Sequence, residues 1–392
     1  MVVSKKEWKN ESGRKNRFRT YCRTSLCLLV FTVAILAIIP RQANAEDAVT
    51  IAIAGPMVGD SFSVGIQYNA GVTAAVQTLP GGLLLGRKLN IKTYDDKCSI
   101  PIAEKVAQDL VMNPPAVVIG HSCSMATLAA APVYARYKVL QITPASTNSE
   151  ITEMGIKTIF RMIGRDNVQS EIAVERIALH HAGRKIGVFY FPGNYSEGLA
   201  KTAINALKKK GIKPVYAGIG IASASSYADN IQDMIDAGVE ILYLTGGGLD
   251  SGVFMRQVSQ MDAPFNVISS DTLVSKVFIE TAGSAGEGIP FTFPPEAAEL
   301  STSKLAAAAI KQLGQEPVGY TLLAYAATET WFEGVRRANS FDANLVATAI
   351  RQAPIETILG QISFNAKGDI QTNYPAFSWY VWKEGKRVSL EK

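Results

Sequence analysis

The stretch AVVIGHSCSMATLAAAPVYARYKVLQITPAST, Ala116 to Thr147, decides the fold. It opens on the apolar run Ala116-Val-Val-Ile119 and passes through Gly120-His-Ser-Cys-Ser124. A helix-like segment follows near 125–137, and a second apolar run lies at 139–142. Short apolar runs separated by an amphipathic helix are the pattern of a parallel sheet covered on both faces. Each run ends in small polar residues, Ser122, Ser124 and Thr127 after the first, Thr143-Pro-Ala-Ser-Thr147 after the second. In such sheets ligands bind at the carboxyl ends of the strands.

The same alternation extends in both directions. Strand-like runs at 49–54 and 89–94 precede it, with helices near 65–78 and 101–112. A second series places helices at 167–181, 196–210, 227–237, 251–261 and 274–282 among strands at 185–191, 214–219, 240–244 and 266–269. Two such series predict an α/β fold of two doubly wound parallel-sheet domains. After Pro294-Pro295 the pattern changes to three helical segments, 297–313, 320–337 and 342–351, and two strand-like runs, 360–364 and 376–382. Helices without strands between them make a poor third domain. They read as chain returning to the first domain, with the last strand completing the second.

The front of the chain reads as an export signal. Basic residues from Lys5 to Arg23 precede an apolar core at 26–39, and Ala43-Asn-Ala45 has the small-x-small form of a cleavage site. The core is short for a membrane span, which needs about 20 residues. Cleavage after Ala45 removes Cys22 and Cys27 and leaves 347 of the 392 residues, more than one core usually holds. Residues 1–45 carry nine of the 39 Lys/Arg and two of the 34 Asp/Glu, so the formal charge falls from +5 to −2. That excludes a nucleic-acid binder, which needs a concentrated basic surface. The cluster Lys208-Lys-Lys210 is a solvated helix end. Two cysteines remain, Cys98 and Cys123, each just past a strand-like run. Export favours their pairing, worth about 3 kcal/mol for a loop of this length. A free catalytic or metal-binding thiol is the competing reading, and partners for it are not evident.

Catalytic and cofactor signatures are missing. Gly55, Gly59 and Gly65 do not space as a dinucleotide fingerprint, and no phosphate-binding loop occurs. Gly120 to Ser124 departs from a nucleophile elbow, having Ser where Gly is required. Adjacent His180 and His181 cannot share a metal, and His121 lacks a matched catalytic set. No enzyme, metal or cofactor is therefore expected. Strand-end Ser and Thr are natural helix caps, yet the same geometry gathers hydroxyls and free N–H groups for a carboxylate. Asp271, at another strand end, is the opposite pole that suits a zwitterion.

Val118-Ile-Gly-His-Ser-Cys-Ser124, Gln141-Ile-Thr-Pro-Ala-Ser-Thr147, Tyr94-Asp-Asp-Lys-Cys98 and Asn194-Tyr-Ser-Glu-Gly-Leu199 resemble the periplasmic binding proteins for leucine, isoleucine and valine. The resemblance covers essentially the whole exported chain. It implies two lobes, 46–165 with 295–375 and 166–294 with 376–392, joined by three crossings and closing on ligand as a hinge. It implies a Cys98–Cys123 disulfide, a monomer in the periplasm, and the membrane permease subunits of an ATP-driven (ABC) importer as partners. Ser124 matches the position holding the ligand carboxylate, Thr147 one touching carboxylate and ammonium, and Ala145 a carbonyl accepting from the ammonium. Asp271 matches an acidic residue, Glu in relatives, that pairs with the ammonium; being a methylene shorter, it needs a deeper ligand or a water. Tyr195 and Tyr325 match cleft aromatics, while Ser122 and Cys123 line the side-chain pocket. Two positions depart, Val64 and Gly247, each standing where relatives carry a Tyr. The implied ligand is a hydrophobic amino acid of the branched-chain type. The alternatives are an aromatic acid, amide or urea-like solute on the same scaffold, or a ligand-sensing receptor module.

Overall fold

The computed structural model describes Val2 and residues 48–390 apart from Asp60. The export signal, its cleavage site and Cys22 and Cys27 lie outside the described residues. From Ala48 onward the chain forms one unit.

The first sheet is built from β1 (Val49–Gly55), β2 (Leu83–Leu84), β3 (Arg87–Asp95), β4 (Val117–Gly120), β5 (Leu140–Thr143) and β6 (Ile159–Arg161), in the order β2-β3-β1-β4-β5-β6. All neighbours are parallel except β2 and β3. The central strands β4 and β5 are buried throughout, as a sheet covered on both faces requires. The covering helices are α1 (Phe62–Gln77), α2 (Ile100–Met112) and α3 (Ser124–Arg136).

The chain then crosses at residues 162–165 into α4 (Asp166–His180). A second parallel sheet follows, with β7 (Ile186–Tyr190), β8 (Tyr216–Ile219), β9 (Ile241–Thr245) and β10 (Asn266–Ile268) in the order β10-β9-β7-β8. Helices α5 (Asn194–Lys209), α6 (Ala228–Asp236), α7 (Gly248–Gln260) and α8 (Lys276–Ala282) connect its strands or follow them. The sheet gains β11 (Phe291–Phe293), joined to it by a parallel bridge between Ser269 and Phe291.

After β11 the chain runs into a largely helical tail. It comprises α9 (Lys304–Gln312), α10 (Thr321–Ala338), α11 (Ala343–Gln352), β12 (Ile355–Thr357), β13 (Gly360–Phe364) and β14 (Ile370–Gln371). Helix α10 packs on α1 and against β4 and β5, and a bridge from Asp369 to Arg161 reaches the edge of the first sheet. The closing strands, β15 (Ser378–Lys383) and β16 (Lys386–Ser389), instead pair with β11. Two details differ from the sequence reading. The expected helix at 297–313 breaks into two 3-10 turns and the shorter α9. Thr302 Oγ1 donates to the Ile358 carbonyl and Ser303 Oγ to that of Leu300, competing with helical hydrogen bonds. Strands β2, β6, β11, β12, β14 and β16 escape notice because two to four residues carry no usable periodicity.

The α1–α10 crossing depends on Gly71. A Cβ there would stand 2.9 Å from the backbone N of Tyr325 and press directly on the Thr321 carbonyl oxygen. Replacing Gly71 by Val is expected to lower the unfolding free energy by about 1–3 kcal/mol. Urea denaturation reads this as a lower midpoint at unchanged slope.

Candidate functional site

The carboxyl ends of both sheets face one cavity of about 320 Å³. From the first sheet come Ser122, Cys123 and Ser124 after β4, Ala145 and Thr147 after β5, and Val64 on α1. From the second come Tyr195 at the start of α5, Gly247 before α7 and Asp271 after β10.

A dense scaffold holds the first group. Cys98 and Cys123 are bonded, with their Cα atoms 5.4 Å apart. Beside the bridge, the buried His121 ring places Nδ1 2.6 Å from Asp96 Oδ2 and Nε2 3.0 Å from the Tyr134 hydroxyl. Both ring nitrogens are thus engaged away from the cavity, and His121 serves as a post rather than a base. Thr143 Oγ1 and Ser146 Oγ donate to the His121 carbonyl at 2.7 and 3.2 Å, stitching the two loops together. Ser124 Oγ accepts from the Asn148 N–H at 3.3 Å and stands at the first turn of α3, where free N–H groups favour an anion. The Thr147 hydroxyl is buried beside the Asp166 carboxyl, yet completes no hydrogen bond of good geometry.

The turn carrying Thr147 is fixed from behind. Buried Arg161 donates from Nη1 to the carbonyls of Thr147 (2.8 Å) and Asn148 (2.7 Å), and from Nε and Nη2 to Asp369 Oδ1 (3.0 and 2.6 Å). Arg165 reaches the other oxygen of Asp369 at 3.2 Å. Burial pushes the Asp369 carboxyl up, but the charge and hydrogen bonds of Arg161 outweigh it and hold the group below its ordinary range.

Opposite lies Asp271, 2% exposed. Its Oδ1 accepts from Gln169 Nε2 (2.9 Å) and the Tyr195 hydroxyl (2.6 Å), and its Oδ2 from the Tyr320 hydroxyl (3.2 Å). Burial raises its pKa, and these three donors act against the rise. Tyr320 also lines the cavity, as does Gln67, whose side chain accepts from the Tyr320 N–H at 2.7 Å.

Tyr325, expected among the cleft aromatics, does not line the cavity. It lies five residues, about 1.4 turns, beyond Tyr320 and so projects from another side of α10. There its phenol is buried beside Thr78 and Glu329. Tyr320 takes the place in the cleft; its only sequence signal is an aromatic residue directly before a helix start. Gly247 has extended dihedral angles (φ −68°, ψ 157°), and a Cβ there would meet nothing within 4 Å. Among the described residues no cluster of three metal-ligating side chains occurs, and no helix is long and apolar enough to cross a membrane.

Two α/β sheets facing one polar cleft is an arrangement that sequence comparison places directly. Residues 48–385 match the family described as Periplasmic binding protein. The chain belongs to the periplasmic binding protein family. It is 32% identical over 360 residues to the Leu/Ile/Val-binding protein homolog 1 of Brucella abortus (strain 2308), covering 90% of this chain and 95% of the relative. Identity is 31% over 366 residues with the leucine-, isoleucine-, valine-, threonine- and alanine-binding protein of Pseudomonas aeruginosa, covering 92% and 97%. Among solved structures, a leucine binding protein, LivK, from Thermotoga maritima MSB8 superposes with a TM-score of 0.80 at 24% identity, covering 87% of this chain and 97% of that one. That likeness establishes the fold for this periplasmic binding protein: two parallel-sheet lobes joined by three crossings.

Removing one partner of a buried ion pair leaves the other uncompensated. Asp369→Asn is therefore expected to lower stability by about 3–5 kcal/mol near neutral pH. A carboxyl held below its unfolded value contributes stability above the ordinary carboxylate range, and that stability is lost as pH falls through the depressed value. Chemical denaturation of wild type and variant across pH 2–7 should thus show curves that converge at the acid end.

Proposed function

We propose that this protein is the extracytoplasmic capture subunit of an ATP-driven importer and binds a hydrophobic amino acid of the branched-chain type in the cleft. The observation that carries the reading is the polarity of the cavity. Ser124 and the α3 N-terminus form an anion-binding end, and the buried carboxylate of Asp271 forms a cation-binding end. Ser124 holds the ligand carboxylate, Thr147 touches both head groups, and the Ala145 carbonyl and Asp271 take the ammonium. Ser122, Cys123, Val64 and Tyr195 surround the side chain.

The names of the two relatives given above support the amino-acid reading. In this proposal the lobes are 46–165 with 295–375 and 166–294 with 376–392. The chain is cleaved after Ala45, acts in the periplasm as a monomer without catalysis, and presents its closed form to the permease subunits. The open space at Gly247 favours a second reading, a bulkier solute such as an aromatic acid, amide or urea-like compound on the same scaffold.

Calorimetric titration of unliganded protein against the standard amino acids and aromatic acids decides between them. The first reading requires branched-chain amino acids to bind most tightly; binding only of amine-free solutes would overturn it. Asp271→Asn is expected to weaken amino-acid binding by at least about tenfold, since a charge-assisted hydrogen bond contributes roughly 1.5–3 kcal/mol. Gly247→Tyr suits the local backbone and fills the open space. It is expected to leave leucine binding intact while reducing the affinity for phenylalanine by about tenfold, read in the same titration.

A further inference from the structure

Asp166 is a buried carboxylate with no role in the reading above. It begins α4, is 1% exposed, and its N–H donates to the Thr147 carbonyl at 2.9 Å. It therefore joins the second lobe to the turn that carries the cleft hydroxyl of Thr147. A Cβ added at Gly198 on α5 would stand 3.6 Å from Asp166 Oδ2, so the carboxyl is walled in on that side too. Neither carboxylate oxygen completes a hydrogen bond, and neither does the Thr147 hydroxyl. The two groups are nevertheless near enough for the hydroxyl to favour the ionised carboxylate. Thr147 thus has a cavity on one side and an unsatisfied acid on the other.

We propose that Asp166 is a specificity-determining partner of Asp271: it makes the cleft select a ligand with a cationic amine over an anion of the same shape, and it releases its proton to solvent as that ligand enters. The inference rests on the amino-acid reading above. The proton goes to solvent. The leucine zwitterion enters with no net charge, so the filled cleft carries one more negative charge, which the ligand ammonium offsets locally while Ser124 and the α3 N-terminus take the ligand carboxylate. With Asp166 ionised, the Thr147 hydroxyl donates to it and turns its lone pairs toward the ammonium.

The groups facing Asp166 come from every side. Asp271 follows β10, Tyr195 sits on α5 and Tyr243 on β9, while Arg161 ends β6 and Arg165 lies in the crossing. Burial is the largest influence on the acid and pushes it up, and the charge of Asp271 adds to the rise. Thr147, Arg161 and Arg165 act the other way, and the balance holds it at about 7. Below that pH the free protein carries the proton on Asp166. An incoming ammonium stabilises the ionised form, so affinity for an amine rises with pH until Asp166 is already ionised. An amine-free anion meets only added repulsion from the ionised acid and shows the opposite trend.

The test is calorimetry of the full exported chain with L-leucine and with 4-methylpentanoate, its amine-free counterpart, at about pH 6 and pH 8 in buffers of different ionisation enthalpy. Wild type is expected to release close to one proton per leucine at the lower pH and none at the higher, and to bind leucine about tenfold more weakly at the lower pH. Asp166→Asn should abolish both the proton release and the pH dependence. Leucine binding without proton release in wild type, or an unchanged pH slope in the variant, overturns the role of Asp166 while leaving the amino-acid reading intact. Failure of every amino acid to bind, with an aromatic acid or amide binding instead, overturns both. Thermal unfolding of unliganded protein gives a second measure. A carboxyl whose folded pKa is raised makes stability fall as pH rises from about 4 to 7. Glu329, also held at about 7, is present in both proteins, so the difference between them isolates Asp166. A wild-type profile that matches the variant's overturns the proposal.

Discussion

Arg161 places its guanidinium beneath the turn from Ser146 to Asn148 and donates to the carbonyls of Thr147 and Asn148. Backbone carbonyls buried without a donor are costly, and a buried cation without a counter-charge is costlier. Asp369, supplied by the returning tail, satisfies the second requirement. One interaction therefore satisfies the carbonyls of a cavity-facing turn, ties the tail to the first sheet, and anchors the end of the first crossing through Arg165. With those carbonyls turned inward, Thr147 keeps its hydroxyl at the cleft. The geometry of the first-sheet side of the cleft and the route of the chain between the lobes share a single electrostatic post.

The cleft itself is polar in a directional sense. Its first-sheet side offers hydroxyls and a helix start, and its second-sheet side offers a carboxylate held by Gln169, Tyr195 and Tyr320. A zwitterion fits in one orientation only, because reversal sets like charges against each other. The remaining space is bounded by Val64 and by the bare backbone of Gly247. The polar ends of the cleft and the walls of its remaining space are thus built from different residues.

The parallel-sheet core was legible because its strands are short apolar runs flanked by amphipathic helices, as at 116–147. The strand-end residues Ser124, Thr147 and Asp271 were legible for the same reason, since a sheet's carboxyl edge is fixed once its strands are. Tyr320 was not. Its reach to Asp271 depends on how the tail folds back over α1, a long-range fact with no local pattern. Asp166 reads in sequence only as an ordinary acidic residue in a first helical turn, and its burial follows from the approach of α5 at Gly198. Arg161 and Asp369 lie over two hundred residues apart in the chain, and no spacing rule joins them.

The Cys98–Cys123 bridge and the Asp96–His121 contact brace the same loop, one by a covalent bond and one by a hydrogen bond. The covalent brace exists only where thiols are oxidised. Without the bridge the loop of Ser122 and Ser124 keeps its hydrogen bonds, with Asp96 and Tyr134 at the His121 ring and from Thr143 and Ser146 at the His121 carbonyl, but loses its covalent restraint. The bridge thus links the stiffness of the cleft's first-sheet edge to the redox state of the protein's surroundings.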